Sequence, residues 1–537
     1  MCSSDLMSSE LTTQLHALAA PESLELARNI QRGIEKESLR ITPDGKLSQS
    51  PHPVGLGSPL THTSITTDYS EALLEFITPV SVSIEDSLQT LENIHRFTYR
   101  EIGEEILWAA SMPCIVAGDQ GIPVARYGSS NVAKMKTVYR YGLGHRYGRT
   151  MQAIAGVHYN FSMPHAYWEK TWREASQPGS LKDYISHRYL GLIRNFNRYS
   201  WLLIYLYGAS PAVCASFLKG RDDHGLLPFD EQGRSLHLPH ATSLRMGDLG
   251  YNSDAQKNLN ICYNSLENYV NTLHEAIRQP HPAYREIPSG ENGDYQQLND
   301  SLLQIENEFY SPIRPKRVTA SGETPLNALA RAGVEYIEVR CVDVSPFSPL
   351  GIDAPQIRFM DTFLLYCLLL DSPDCDDSEQ REQAENLEAV VNRGREPQLE
   401  LREGGSPIGL AQWGQRILET MAPVAGLLDT AHGGKLYAAA LADQAEKIAD
   451  PEKTPSARVL REMREQDLPF FRLAMSYSER WGAHFSDEPI TATVAAAFER
   501  ESLRSLQAQR DIEASDDISF EQYLHDFFVQ YEALGKG

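Results

Sequence analysis

Two glutamates two residues apart, Glu35 and Glu37 in Arg32-Gly-Ile-Glu-Lys-Glu-Ser-Leu-Arg40, restrict the fold of this chain more than any other feature. The segment reads as a strand, and a strand's period of two sets both carboxylates on one face. Lys36, Ser38 and Arg40 then occupy the other face, so the strand is expected at a sheet edge with both faces polar. Like charges this close ask for a cation, unless they pair with lysines and arginines on a wet sheet face. A second acidic set, Asp68, Glu71 and Glu75, and a third, Glu338, sit in similarly apolar stretches.

The formal charge of -23, from 49 Lys+Arg against 72 Asp+Glu, argues against a nucleic acid or an anionic membrane as partner. Small ligands fit better. Seven cysteines are scattered without a C-x-x-C pair, which reads as reduced thiols in a cytoplasmic protein rather than a zinc ribbon or redox motif. The first ten residues lack a basic region followed by an apolar run, so no secretory signal is expected. The longest apolar stretch, Trp201 to Leu218, is broken by Gly208, Ser210, Pro211 and Ser216 and falls short of the about 20 residues of a membrane span. It reads as buried core.

Strand-like pieces at Ile34 to Ile41, Leu73 to Val80, Gly156 to Ser162 and Val334 to Val344 surround a helix predicted to start at Ser83 and to bury Leu88, Leu91, Ile94 and Phe97. They do not alternate with helices regularly, so a mostly antiparallel α+β sheet is favoured over a doubly wound fold. Acidic Pro373 to Glu388 reads as a solvated connector, dividing a catalytic core, 1–375, from a mainly helical region, 376–537. Beyond it, Leu410, Trp413, Ile417 and Met421 mark one helix face, and Leu436 to Ala449 forms an Ala-rich helix ended by Asp450-Pro451.

The same period pairs His158 with Asn160, and Glu338 with Tyr336 and Arg340. Carboxylates with one imidazole at most suit magnesium or manganese better than zinc. A lone His158, by contrast, is more often a hydrogen-bonded core residue than a ligand. No G-x-x-x-x-G-K-[ST] is present, and Gly142-Leu-Gly144 lacks the dinucleotide spacing. Phosphate binding would need another device, such as Arg340 with Pro312-Ile-Arg-Pro-Lys-Arg317, although on spacing alone that string reads first as a solvated basic loop.

Taken together, these strings resemble the glutamate-cysteine ligase family in its gamma-proteobacterial form. The resemblance runs through Arg32 to Arg40, Thr66 to Pro79, Gly156 to Phe161, Ser243 to Tyr251, Gln304 to Arg317, and Val334 to Arg340 with Pro346 to Pro349. It implies a glutamine-synthetase-like core whose curved, mostly antiparallel sheet forms a funnel, flanked by helices. It implies ATP-dependent joining of the L-glutamate gamma-carboxylate to the L-cysteine amine through a gamma-glutamyl phosphate, the first step of glutathione synthesis, with glutathione as feedback inhibitor. Two or three Mg2+ ions, or Mn2+ in their place, would be held by Glu35, Glu37, Asp68, Glu75, His158 and Glu338. Arg340 would act on the transferring phosphoryl group, Lys316 and Arg317 would hold phosphate, and Tyr139, Arg140, Arg245, Tyr251 and Tyr310 would form the cysteine pocket. Two alternatives remain: a gamma-glutamyl ligase for another small amine, and a magnesium-binding regulatory protein with a degenerate site.

Overall fold

The computed structural model describes residues 9–534 except 114, 176–178, 222, 251–254, 257–258, 291–292, 321 and 489. At its centre is one sheet of seven strands: β1 (Gln31–Ile41), β2 (Ile65–Thr67), β3 (Leu73–Ile77), β4 (Ile106–Leu107), β5 (Gly156–Ser162), β6 (Ile313–Lys316) and β7 (Tyr336–Asp343). The order is β2-β3-β1-β5-β7-β6, with β4 on the end of β1, and every pairing is antiparallel. This is the α+β sheet that irregular strand spacing predicts.

β1 is not an edge strand, however; it lies between β3 and β5. Its second face is buried because each basic group there is hydrogen-bonded; Arg32 and Arg40 pair with carboxylates, while burial pushes the pKa of Lys36, whose partner is an imidazole, down to about 7. Arg32 Nη2 lies 3.0 Å from Asp361 Oδ2, Lys36 Nζ 2.7 Å from His95 Nε2, and Arg40 Nη1 2.6 Å from Glu105 Oε2. The edges are β2 and β6, and on β6 Pro315 costs no ladder bond that a neighbour would need. The basic string Pro312 to Arg317 is therefore mostly strand, not loop.

Helices cover the sheet. α1 (Ile84–Glu101) starts at Ser83, whose hydroxyl accepts from the Asp86 amide at 3.0 Å and satisfies one of the free amides of the first turn. α2 (Asn131–Tyr147) stands beside the site. α3 (Leu181–Tyr207) and α4 (Ala354–Leu369) pack on each other, and the apolar run beginning at Trp201 is buried in them. Among the described residues no helix is long and apolar enough to cross a membrane. The acidic stretch read as a connector is in fact helical from α5 (Asp377–Arg393), capped by Asp376, whose carboxylate accepts from the Ser378 and Glu379 amides at 2.9 Å. Its solvated face has the composition of a linker, which is why charge alone misreads it.

Further on, α6 (Leu410–His432) buries Leu410, Trp413, Ile417 and Met421 as their spacing requires, and α7 (Leu436–Ala449) ends before Asp450-Pro451. Both share the central core with α4. The last helices are α8 (Phe470–Asp487), α9 (Ala492–Ser515) and α10 (Phe520–Glu532).

One buried amine reports on this packing. Lys447 of α7 donates to the Leu206 carbonyl of α3 at 3.0 Å and stands 4.6 Å above the Tyr207 ring; burial pushes its pKa down from 10.5 to about 8. Between pH 8 and 10 the unfolded chain thus holds more protons than the folded one, and stability rises with pH. Lys447→Met is expected to remove about 2 kcal/mol of that rise across the window. Urea midpoints of both proteins at pH 7.5 and 10 check it; parallel pH dependence would refute the assignment.

Candidate active site

Register brings the acids together. Glu37 lies directly opposite Glu75 across β1 and β3, Glu35 opposite His158 across β1 and β5, and Glu338 between Asn160 and Arg314 on the two neighbours of β7. Two carboxylates facing each other in an antiparallel pair repel. A register shift between Val339 and Val342 sets Arg340 and Cys341 against β5 at His158, a bulge that re-aims the Arg340 side chain. The resulting cleft of about 240 Å³ is lined by Glu35, Glu37, Asp68, Glu75 and Glu338, by Lys316 and Arg340, and by Tyr139, Arg140 and Tyr310.

Hydrogen bonds fix several of these groups. Glu37 Oε2 accepts from the Gly156 amide at 2.6 Å, and Glu35 Oε1 from Asn160 Nδ2 at 2.8 Å. His158 Nδ1 lies 3.2 Å from Glu35 Oε2, while its Nε2, 3.5 Å from Glu37 Oε1, is buried without a hydrogen bond. Lys316 Nζ is 3.5 Å from Glu338 Oε1, and Arg340 Nη1 donates to Glu338 Oε2 at 3.1 Å. Arg140 donates to the Asp68 carbonyl and stacks 4.6 Å above the Tyr127 ring. Gln152 Nε2 donates to the Tyr310 hydroxyl at 2.8 Å.

The electrostatics separate these acids. Burial, and then Glu35, Asp68 and Glu37, push Glu75 well above the usual carboxylate range. Burial raises Glu37 in the same way, with Asp68 adding to it. Burial also opposes ionisation of Glu338, yet Lys316 and Arg340 outweigh it and hold that carboxyl well below the usual range. Glu35 is lowered against its own burial, chiefly by its hydrogen bond to His158.

The donor set fits a hard divalent cation. One ligand atom each from Glu35, Glu75 and His158 lie within 4.8 Å of one another, and the orphaned His158 nitrogen is the kind of buried polar atom that a cation satisfies. A carboxylate majority with one imidazole favours magnesium or manganese over zinc.

Not every residue singled out from the sequence lines the cleft. Glu71 instead accepts from the His52 and Arg126 amides, both at 2.7 Å, and clamps loops. Arg245 is buried behind the wall, where Nη2 donates to the Arg340 carbonyl at 2.8 Å and Nη1 lies 3.7 Å from Asp343 Oδ1. Arg317 turns away, donating to the Gly333 carbonyl. Tyr251 falls outside the described residues. Conversely, Arg314, Gln152, Glu308 and Tyr69 line the cleft without having been chosen. Arg314 was within reach, two residues from Lys316 on one strand; Gln152 sits on the short turn Met151–Ala153 and carries no periodic signal.

The family model for glutamate-cysteine ligase matches residues 15–390. A glutamate-cysteine ligase of Alcanivorax borkumensis is 50% identical over 96% of this chain and 99% of its own, and one of Pseudomonas paraeruginosa is 49% identical over 96% and 98%. The crystal structure of a Francisella tularensis glutamate-cysteine ligase in complex with AMP superposes with TM-score 0.87 at 36% identity, over 94% of this chain and 99% of that one. A bifunctional glutathione synthetase of Pasteurella multocida shares the fold at TM-score 0.72 and 24% identity, over 91% of this chain and 58% of that one. Matches of this length, on a sheet whose site fits a divalent cation beside arginines, define a ligase that uses ATP and a divalent metal. The chain belongs to the glutamate-cysteine ligase family, which forms gamma-glutamylcysteine with ATP in the first step of glutathione synthesis.

Proposed function

We propose that the cleft activates the glutamate gamma-carboxylate as an acyl phosphate and then admits the cysteine amine to it. The observation that supports this most is the register itself: Glu37 faces Glu75 while Glu35 faces His158, an acid cluster whose repulsion bound cations would offset at neutral pH without protonating the acids. Glu35, Glu37, Asp68, Glu75, His158 and Glu338 would hold Mg2+, with Mn2+ as a substitute. Bound there, the cations supply charge neutralisation for the phosphates of ATP.

The chain's own residues do the rest. Arg340 steadies the transferring phosphoryl group, and Lys316 contributes a second charge. Arg245 supports the pocket from behind through the Arg340 carbonyl. Arg317, bound to Gly333, lies back from the phosphates and shapes the β6 edge. At the other end Arg140 holds the cysteine carboxylate, while the rings of Tyr139 and Tyr310, with Tyr251, offer soft contact to the thiol. The sheet would form the funnel of a glutamine-synthetase-like core. Glutathione, which contains the whole gamma-glutamylcysteinyl unit, would occupy both amino-acid subsites as an inhibitor. The enzyme would work in the cytoplasm.

Glutamate and MgATP with hydroxylamine in place of cysteine are expected to give gamma-glutamyl hydroxamate, ADP and phosphate. AMP and pyrophosphate as products would replace the acyl phosphate by an acyl adenylate. In an amine panel cysteine should be used best; a preference for ammonia or a bulky amine would change the acceptor assignment.

A further inference from the structure

The last two helices pack against loops, against α2 and against the turn ahead of Tyr310. Along α9, Glu501 Oε1 accepts from the Thr63 amide at 3.1 Å and hydroxyl at 2.9 Å, Ser505 Oγ from the Ser58 amide at 3.0 Å, and Glu513 Oε1 from the Ser129 amide at 2.8 Å. The loops at Gly57 and Gly128 approach α9 too closely for a side chain. A Cβ on Gly57, φ +82°, would stand 2.8 Å from Ser502 Cα, and one on Gly128, φ +113°, 2.4 Å from Glu513 Oε1. Glycine alone permits both that approach and that backbone conformation. Between the helices, Asp516 accepts from the Asn131 amide and the Ile518 carbonyl from Asn131 Nδ2 at 3.0 Å, tying down the first residue of α2.

α10 completes the crossing. Its Leu524 packs with Met135 and Val138 of α2 in a cluster that Tyr139 also joins. Seven residues further, the buried Tyr531 hydroxyl donates to Glu306 Oε2 at 2.5 Å, and the other Glu306 oxygen accepts from the Leu326 amide at 2.7 Å. Glu306 opens the short turn Glu306–Glu308 that leads to Tyr310. One helix therefore touches both walls, the α2 wall bearing Tyr139 and Arg140 and the turn ahead of Tyr310. The segment matched by the family model ends at residue 390, well before this crossing begins.

From this geometry we infer that α9 and α10 form a clasp that fixes the spacing of the two cleft walls, with Tyr531 as a positioning residue that sets the affinity for the amine-bearing amino acid. The assignment of substrate rests on the reading of Tyr139, Arg140 and Tyr310 as the cysteine pocket. The clasp acts through walls it touches and meets no substrate itself. Losing the buried Tyr531–Glu306 hydrogen bond should loosen both walls at once, whereas a helix that merely covers apolar surface would loosen neither selectively.

The test uses the full-length enzyme carrying Tyr531→Phe, which keeps the ring and its packing, and Leu524→Ala, which weakens the same helix through its apolar contact. Amide hydrogen exchange in residues 131–140 and 305–310 should speed about fivefold in both, with the central strands unchanged. The KM for cysteine should rise about fivefold while the KM for glutamate and for ATP and the kcat stay within about twofold. Unchanged exchange in these walls overturns the clasp. Faster exchange with all three KM values moving together overturns its role in cysteine affinity. Arg140→Lys is the control: if it leaves the KM for cysteine unmoved, the pocket reading fails, and the clasp is then decided by the exchange result alone.

Discussion

Glu75→Gln is expected to lower kcat by about 10²- to 10³-fold, with the fold intact and the metal-free protein as stable as wild type or more so. The two halves of that result come from the same register. Glu75 faces Glu37 across the β1–β3 pair, and burial with Glu35 and Asp68 close by already drives its carboxyl toward the neutral form when no cation is bound. An amide of the same shape relieves that repulsion and leaves the ladder untouched. With magnesium present the balance reverses, since the glutamine offers one oxygen and no charge to the cation. Wild type should gain stability on adding Mg2+, and the variant should gain less, by about 1.4 kcal/mol for each tenfold loss of affinity. Thermal melts with and without Mg2+ alongside kcat measure both arms. Equal Mg2+-induced shifts, or full turnover at saturating Mg2+, would remove Glu75 from the cation site.

Periodicity carries a reader far into this site. A period of two on β1, β5 and β7 is enough to group Glu35 with Glu37, His158 with Asn160, and Glu338 with Arg340, because all three are long strands with unbroken alternation up to the bulge. The same rule fails on the reverse face of β1. Lys36 and Arg40 look like exposed residues until His95 and Glu105, more than fifty residues away, arrive to pair with them. No local pattern announces a partner supplied by another element. Gln152 and Tyr69 are invisible for the same reason, being delivered to the cleft by turns rather than by a repeating face. At α5 the failure runs the other way: an N-cap aspartate, acids in the first turn and Arg393 in the last suit the helix dipole, yet their sum reads as a solvated linker. Spacing also cannot distinguish Arg245, held behind the wall, from Arg140 in front of it; both are arginines in distinctive strings. The resemblance named the substrates, and the register explains why three strands, β1, β3 and β7, bring Glu35, Glu37, Glu75 and Glu338 together.

Arg340→Lys is expected to reduce kcat about 100-fold while the KM values for glutamate and cysteine stay within about threefold. The backbone at this position is held from two sides, by the Arg340 amide donating to the Pro312 carbonyl at 2.8 Å and by Arg245 donating to the Arg340 carbonyl, so the substitution acts on the side chain alone. Lysine keeps the charge, but it cannot present two parallel N–H groups to a phosphoryl group while a third holds Glu338. The lost contact matters where charge spreads over the transferring group, which is the transition state rather than the bound substrates, and that is why kcat carries the loss. Hydroxamate formation in the absence of cysteine should fall by the same factor, since it depends on the phosphoryl step only. Guanidinium ion added to Arg340→Ala should restore part of the rate, whereas methylammonium should not. If hydroxamate formation survives in Arg340→Lys while dipeptide formation is lost, Arg340 serves the amine attack instead, and its place moves from the phosphate end of the cleft to the cysteine end.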